Sequence, residues 1–244
     1  MKKMLPKLFL WAGIPALLFS SCVNDKYLIA PPPVADQSFV EEFDTVSAAS
    51  NRGWKFLNVS ESKGPNIWQQ AGAVTPWFEA YSSHGSNVGF IGADYTSTSA
   101  AAAIISNWLV SPVVTLQNGD TISFYTRAVI YADGAGDSTD YANRLQLRLS
   151  TNGESTNVGS AADPGDFTRG LIDINPNLEA FSLLNPIATA FPYRWTRFQV
   201  TLFGLQEPVR GRFAFRYFVE GAGSNGIGSG VGVDLVTYKS KRQQ

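Results

Sequence analysis

The sequence predicts an all-β chain, a single domain in which two antiparallel sheets pack face to face as a jelly-roll-like β-sandwich. Aromatic residues make up 13% of the 244 residues, and the chain has 22 glycines and 13 prolines. This mixture favours strands and turns over helices. Several segments also alternate between apolar and polar residues with a period of two, which is typical of strands with one buried face.

The alternation locates the strands. In Arg144–Ser150 the three leucines share one face, and in Arg212–Val219 both faces are largely apolar or covered, which predicts a central strand. Further strands are predicted at Phe39–Asp44, Trp54–Val59, Val88–Ala93, Asn107–Leu116, Thr121–Ala128, Trp195–Leu202 and Val231–Tyr238.

The connections between these strands carry weaker signals. Asn118-Gly119-Asp120 separates two strand-like runs and predicts a hairpin. Ser99–Ser106 contains four consecutive alanines, a composition that allows two helical turns. Asp163–Tyr193 has four prolines and no clean period, so it is predicted to be a long loop that is functional or draped over a sheet.

The N-terminus has the features of a targeting signal. Three lysines precede the apolar run Leu8–Phe19, which is shorter than the roughly 20 residues that a membrane span needs. The run ends in Ser20-Ser21-Cys22, which resembles a bacterial lipoprotein signal; the alternative is an ordinary secretory signal with an incidental cysteine. The resemblance implies a signal peptide over residues 1–21, acylation of Cys22, a proline-rich tether over 22–37 and a folded domain over 38–240.

The polar residues that follow Cys22 resemble the surface-export signals of Bacteroidetes lipoproteins. We therefore expect an outer-membrane lipoprotein exposed on the cell surface, held to the membrane through its lipid anchor only. The chain has 19 Lys plus Arg against 20 Asp plus Glu, a net charge of −1 that excludes a nucleic-acid partner. One cysteine and one histidine exclude an intrachain disulfide, a cysteine-based zinc cluster and a multi-histidine metal site.

Four segments carry a family resemblance: Glu42-Phe43-Asp44, the run Asn107–Pro112, Leu149–Gly153, and the closing Gly232-Val233-Asp234. Together they resemble the choice-of-anchor J domain family, which is related to the cleaved adhesin domains of gingipains and, more distantly, to MAM domains. The resemblance covers about residues 38–238. It implies a calcium-containing jelly roll on a secreted or surface protein, used for adhesion or in association with carbohydrate.

The resemblance also implies a structural Ca²⁺ site that joins the first and last strands. Glu42 and Asp234 occupy the matching motif positions, and Asp44 lies nearby in sequence. Calcium takes six to eight oxygen ligands, often from residues distant in sequence. The family often has a second acid after the last aspartate, where this chain has Leu235. The alternative is that these acids are simply solvated at strand ends.

Two other motifs, one acidic and one rich in glycine, give weaker evidence for a binding site. Asp133, Asp137 and Asp140 do not have the spacing of an EF-hand loop, so a hydrated hairpin loop is favoured over an ion site. Gly221–Gly226 satisfies G-x-G-x-x-G, but a β-like run follows it instead of a helix, so a turn is predicted and a dinucleotide site is not.

No catalytic residue is predicted. In laminarinase-like enzymes a second glutamate stands three residues after the aspartate of the motif that Glu42-Phe43-Asp44 resembles, and this chain has Ser47 there. His84 lies in a polar loop without a nucleophile elbow.

Loop aromatics are the best candidates for ligand contact, because sugar binding needs an exposed aromatic face with polar groups at its rim. Trp54, Trp108 and Trp195 lie in strand patterns and are assigned to the core. The candidate ligand-binding residues, taken from predicted loops, are Trp77, Tyr81, Tyr131 and Tyr141, with Trp68, Tyr95 and Tyr193 as further loop aromatics. Burial under the long Asp163–Tyr193 segment is the alternative for each.

These observations lead to three hypotheses for function. The first is a lipid-anchored, non-catalytic, adhesin-like module that binds an extracellular glycan or a host, surface or matrix protein. The second is a structural or assembly subunit of a surface complex. The third is a cryptic glycoside hydrolase, which would need two carboxylates converging in one cleft.

Overall fold

The structure is a computed structural model that describes residues 34–82 and 88–242. The predicted signal peptide, Cys22 and His84 lie outside the described residues. In chain order the elements are β1 (Phe39–Glu41), α1 (Val46–Asn51), β2 (Lys55–Asn58), β3 (Gln69–Gln70), β4 (Ile91–Asp94), a 3₁₀ turn (Tyr95–Ser97), β5 (Ala103–Val110), β6 (Val114–Leu116), β7 (Thr121–Ala128), β8 (Tyr131–Ala132), β9 (Ser138–Thr139), β10 (Leu145–Ser150), β11 (Arg169–Ile174), β12 (Thr196–Thr201), β13 (Val209–Ala222) and β14 (Gly230–Lys239).

The strands form two antiparallel sheets and a short hairpin. Sheet A has the order β12–β7–β14–β4–β3, and β1 pairs with one end of β14. Sheet B has the order β11–β10–β13–β5–β2, and β6 pairs with one end of β13. β8 and β9 pair with each other as a separate two-stranded sheet, and Thr139 of β9 also bridges to Ser182. The predicted all-β sandwich of antiparallel sheets in a single domain is confirmed.

The period-two alternation builds the core between the sheets. In β7 every second residue from Ile122 to Ala128 is buried, and the residues between them are half-buried on the outer face. In sheet B the register places Leu147 opposite Phe215 and Leu149 opposite Phe213, so one row of leucines packs on one row of aromatics. Burying each such side chain contributes about 1.5–3 kcal/mol. The predicted core residues Trp54 and Trp108 are both buried, whereas Trp195 is only half-buried.

Each sheet also has an outer face with its own cover. On sheet B, Phe167 and Val158 from the connection between β10 and β11 pack on Trp108 of β5. The Arg216 guanidinium lies between the Trp108 and Phe218 rings, 4.9 and 3.8 Å from their centroids. On sheet A, residues 71–82 cover only part of the outer face, and this incomplete cover positions the site described below.

Three sequence-based predictions of local structure were wrong. Ser99–Ser106 forms no helix, because Ala103–Ser106 begins β5 and pairs with β13. Asn118-Gly119-Asp120 is a turn between sheets and closes no hairpin, since β6 pairs with β13 in sheet B while β7 lies in sheet A. The predicted loop Asp163–Tyr193 contains β11. No helix among the described residues is long and apolar enough to cross a bilayer.

Candidate ligand-binding surface

The segment over residues 71–82, here called the strap, lies along the outer face of sheet A on a row of glycines. A Cβ atom at Gly72 would lie 2.2 Å from the Trp77 ring, and one at Gly92 would lie 2.7 Å from it. A Cβ at Gly232 would lie 2.9 Å from the Phe78 ring. These glycines leave the room that lets the Trp77 and Phe78 rings approach the sheet closely.

The strap builds a small aromatic cluster of its own. Phe78 stacks on Phe90 with ring centroids 4.7 Å apart, and the Trp195 ring meets Phe78 edge-on at 5.3 Å. The Arg127 guanidinium lies 4.1 Å from the Phe78 centroid. Trp77, a predicted ligand platform, is half-buried against this cluster. Its ring therefore holds the strap down and presents only part of its surface.

Asp234 of β14 anchors the far end of the strap. Its Oδ2 accepts the backbone N–H groups of Tyr81 and Ser82, at 2.8 and 2.9 Å. Its Oδ1 accepts the Ser82 hydroxyl at 2.8 Å and the Leu235 N–H at 2.6 Å. Burial raises the pKa of Asp234 to about 6, against the lowering effect of these hydrogen bonds.

The residues of the predicted calcium site do not fit that ion in this arrangement. Both oxygens of Asp234 already accept hydrogen bonds, while Glu42 is half-buried and Asp44 is exposed. Among residues 34–82 and 88–242, no three His, Cys, Asp or Glu side chains lie close enough together to hold a metal ion. Calcium at Glu42, Asp44 and Asp234 stays a prediction, and no step below depends on it.

Tyr81, the second predicted ligand residue of the strap, is exposed and stacks on Tyr125 of β7. The two ring centroids are 3.6 Å apart and the rings are 17° from parallel. The hydrogen bond between the two phenols, followed by burial, raises the pKa of Tyr81 above its usual value. The stack forms a raised edge at the end of the strap.

Tyr131, the first residue of β8, and Tyr141, in the connection between β9 and β10, lie together at the opposite end of the strap. Their ring centroids are 6.2 Å apart. Partial burial, together with the nearby groups Asp94, Tyr95 and Tyr141, raises the pKa of Tyr131. Tyr95, Tyr131 and Tyr141 are 38%, 43% and 44% exposed, and we call them the tyrosine cluster.

The backbone beneath the tyrosine cluster is fixed by buried polar groups. The Asn143 side chain is fully buried, and its Oδ1 accepts hydrogen bonds from the Tyr217 hydroxyl, the Ser229 N–H and the Gly230 N–H at 2.8–3.1 Å. The N–H of Gly228, two residues after the predicted turn Gly221–Gly226, donates to the Tyr141 carbonyl, so the end of this glycine-rich segment borders the cluster.

The three aspartates of the nearby hairpin act as hydrogen-bond acceptors. Asp133 Oδ1 accepts the N–H groups of Ala135 and Asp137 within its own turn. Asp137 accepts the N–H groups of Leu183 and Leu184, and Asp140 accepts that of Phe181 at 2.7 Å. These bonds pin the segment 181–184 beside the tyrosine cluster. The predicted hairpin forms as β8 and β9, but Asp140 is fully buried and is not part of a hydrated loop.

Four surface grooves are lined by described residues, and none of them contains more than one carboxylate. Three of the grooves contain Asp173, Glu207 and Glu41, one each, and the fourth contains no carboxylate. Glu41 forms an ion pair with Arg52, its Oε2 2.7 Å from the Arg52 Nε. Glycoside hydrolysis uses a pair of carboxylates about 5–9.5 Å apart. None of these four grooves places such a pair.

The structure thus divides the four predicted ligand residues between two places: Trp77 and Tyr81 on the strap, Tyr131 and Tyr141 in the tyrosine cluster. Of the other loop aromatics, Trp68 is buried in the core and Tyr193 stacks on Phe181 at 4.4 Å. The sequence did not single out Tyr125, Arg197 or Lys239, which lie on the outer face of sheet A. The sequence shows the alternation of polar and apolar residues in the strands that carry them. It does not show which outer sheet face is left uncovered by the described residues.

Comparison with known proteins identifies the fold. No family model and no curated protein matches the chain. Among solved structures it is similar to the K1 cleaved adhesin domain of Lys-gingipain from Porphyromonas gingivalis W83, with a TM-score of 0.51 and 19% identity over 84% of this chain and 98% of that one. The K3 cleaved adhesin domain of the same protein gives a TM-score of 0.50 and 16% identity over 85% and 100%. The chain therefore has an adhesin-like jelly-roll fold.

Proposed function

We propose that the chain is a non-catalytic binding module, anchored at the cell surface, that holds an extracellular glycan or a surface protein against its tyrosine cluster. One observation carries the proposal: Tyr95, Tyr131 and Tyr141 come from separate segments and converge at one end of the sandwich, each with more than a third of its surface exposed. The adhesin-like fold supports the proposal only at the level of architecture.

Tyrosine suits such a surface because its ring offers a large apolar face and its hydroxyl offers a hydrogen bond. Two rotatable side-chain angles keep the entropy lost on binding small. The cluster is also built on a fixed backbone, since Asn143 and Asp140 hold the chain on both sides of Tyr141. A rigid aromatic surface of this kind binds by stacking and shallow contact, with no chemical step.

A protein partner, and with it the assembly-subunit hypothesis, is favoured by a second observation. Leu183, Leu184 and Ile187 are 52%, 64% and 45% exposed in the segment that Asp137 pins beside the cluster. Exposed apolar side chains grouped next to aromatic ones are typical of protein-binding surfaces.

The tyrosine cluster is tested with a glycan array probed by the full chain in non-ionic detergent. We expect binding to one glycan class, lost in the double variant Tyr131→Ala/Tyr141→Ala. Phe203→Ala is the matched control, because Phe203 is an aromatic residue that is 70% exposed. Among the described aromatic and cation–π contacts, its ring meets only Arg169, at the other end of sheet B. If the double variant binds the array as well as the native chain does, the tyrosine cluster is not the glycan-binding site.

If the array is blank, crosslinking on intact cells decides between the two partner classes. Crosslinking to one envelope protein, reduced in Leu183→Ser/Leu184→Ser, would support the assembly subunit. Failure of both experiments would overturn the proposed function.

The proposal includes lipid attachment at Cys22, which lies outside the described residues. Each buried CH₂ of an acyl chain contributes about 0.8 kcal/mol, so several chains on one cysteine anchor a protein firmly. We expect a clickable fatty acid fed to the producing cells to label the native chain and not Cys22→Ala. Equal labelling of both chains would contradict the anchor, with membrane fractionation as the second measurement.

A further inference from the structure

A polar groove lies on the outer face of sheet A, beyond the end of the strap and away from the tyrosine cluster. It encloses about 460 Å³. Its floor is formed by β12, β7 and β14, and its lining residues are Gly119, Thr121, Ser123, Arg197, Gln199, Thr237, Lys239, Ser240 and Lys241. We call it the sheet A groove.

The strand register explains why these side chains share one face. Gln199 lies opposite Ser123, which lies opposite Thr237, so the three form one row across the sheet. Thr121 and Lys239 are opposite each other in the next row. Directly paired residues point to the same side of a sheet. The floor is therefore a flat array of hydroxyl and amide groups, with adjacent strands about 4.8 Å apart.

The groove concentrates positive charge in a chain whose formal net charge is −1. Arg197, Lys239 and Lys241 all line it and are all exposed, and its described lining contains no Asp or Glu. The Lys241 stem lies across Gly119, where a Cβ would be 2.5 Å from its Cδ, and this packing places the side chain along the end of the groove. A cleft lined by one sign of charge raises the local concentration of the opposite ion.

The carboxylates that flank the groove are already engaged. Asp120 is buried and accepts hydrogen bonds from the Tyr238 hydroxyl and the Lys241 N–H, with Arg242 3.2 Å away. Asp234 is buried under the strap. Asp36, at the Ser240 end, accepts hydrogen bonds from Ser240 and Ser38, which together lower its pKa to about 2. Arg197 and Lys239 are in no ion pair among the described residues.

We propose that the sheet A groove binds an acidic glycan, with the three cations contacting its carboxylate or sulfate groups and the floor contacting its hydroxyls. Charge complementarity selects an anion. The row of Gln199, Ser123 and Thr237 selects a ligand with many hydroxyls, which a bare phosphate lacks. The Tyr81–Tyr125 stack stands next to Arg197, since Tyr125 and Arg197 are paired in the register, and gives the groove an aromatic edge. This proposal rests on the groove residues and does not require the tyrosine cluster.

The test measures binding of the full chain, in non-ionic detergent, to immobilised polygalacturonate, heparin and neutral dextran. We expect binding to at least one of the two acidic polymers and none to dextran. The triple variant Arg197→Gln/Lys239→Gln/Lys241→Gln should bind at least about tenfold more weakly, because it removes all three positive charges that contact the anionic groups. Arg197→Lys/Lys239→Arg/Lys241→Arg should retain the affinity.

A second triple variant, Lys55→Gln/Lys63→Gln/Arg210→Gln, is the matched control, because it removes the same charge from exposed positions outside the groove. An equal loss in this control would show that only net charge matters and would overturn the site. So would native binding to dextran, no binding to either acidic polymer, or inorganic phosphate competing as well as galacturonate oligomers at equal charge. Loss of glycan-array binding in the tyrosine-cluster variant, with acidic-polymer binding intact, would separate the two sites.

Discussion

At the scale of single residues, Asn143 shows how a polar side chain positions a surface that it does not reach. A buried amide is tolerated only when its hydrogen bonds are made, because an unsatisfied buried group costs about 1–3 kcal/mol. Asn143 meets that condition: its Oδ1 accepts three hydrogen bonds, and its Nδ2 donates to the Ser229 hydroxyl and to the Asp140 carbonyl. The backbone on both sides of the tyrosine cluster is thereby tied to one side chain.

Asn143→Ala should lower the free energy of unfolding by at least about 3 kcal/mol, because three buried donors lose their acceptor together. Urea unfolding measures the change. Asn177→Ala, at an exposed position on the neighbouring loop, should change it by less than about 0.5 kcal/mol. A loss below about 1 kcal/mol for Asn143→Ala would mean that water replaces the amide, and that the cluster is held by other contacts.

At the scale of elements, the strap is held in place by close packing against glycines, whereas a helix or a strand is held by its own regular backbone hydrogen bonds. Gly72 has a φ of +80° and lies under the Trp77 ring. Any side chain there meets two obstacles, the left-handed backbone and the indole. Among the described residues, the strap covers the part of sheet A around Gly92 and Gly232, and the sheet A groove lies beyond it.

Gly72→Ala should therefore destabilise the fold by about 2 kcal/mol more than Gly134→Ala does. Gly134 has nearly the same φ, +78°, but a Cβ there has no atom within 4 Å, so it isolates the backbone cost from the clash. Urea unfolding of both variants gives the difference. Equal losses would show that Trp77 moves aside without cost and that the strap is loosely held.

Element by element, the sequence predicts strands better than the segments between them. Thr121–Ala128 is found with its observed bounds, because a clean alternation over eight residues has one interpretation. Ser99–Ser106 misleads because the helix propensity of alanine is small beside the pairing of β5 with the central strand β13. α1 is missed because it is six residues long and Thr45 makes no side-chain capping bond.

For the candidate sites, the sequence identifies residue types and the fold identifies their neighbours. Tyr131 and Tyr141 flank a short hairpin and could be predicted as exposed loop aromatics. Tyr95 joins them only because its N–H donates to the carbonyl of Ser229, 134 residues later in the chain by their numbers. Arg197 and Lys239 line one groove because β12 and β14 pair with opposite edges of β7, a long-range arrangement that no local pattern in the sequence reveals.

At the scale of the whole molecule, the last strand, β14, is joined to the first strand and to the strap by hydrogen bonds. β1 and β14 pair from Phe39–Tyr238 to Glu41–Val236. Asp234 accepts four hydrogen bonds, three from the strap residues Tyr81 and Ser82 and the fourth from the N–H of Leu235 in β14 itself. This arrangement closes the sandwich with the protein's own donors. A calcium ion bound to Asp234 would have to displace some of them, because a carboxylate oxygen has two lone-pair directions.

We therefore expect the melting temperature of the full chain to be the same in excess calcium and in excess EDTA, after a calcium-loaded start. The hydrogen bonds of Asp234, without a metal ion, would then be what attaches the strap to β14. In that case Ser82→Ala, which removes one of the four bonds, should lower the melting temperature equally in both conditions. A fall of the native chain's melting temperature in EDTA, absent in Glu42→Gln, would contradict this expectation. It would show that calcium replaces the strap donors, as the family resemblance implies.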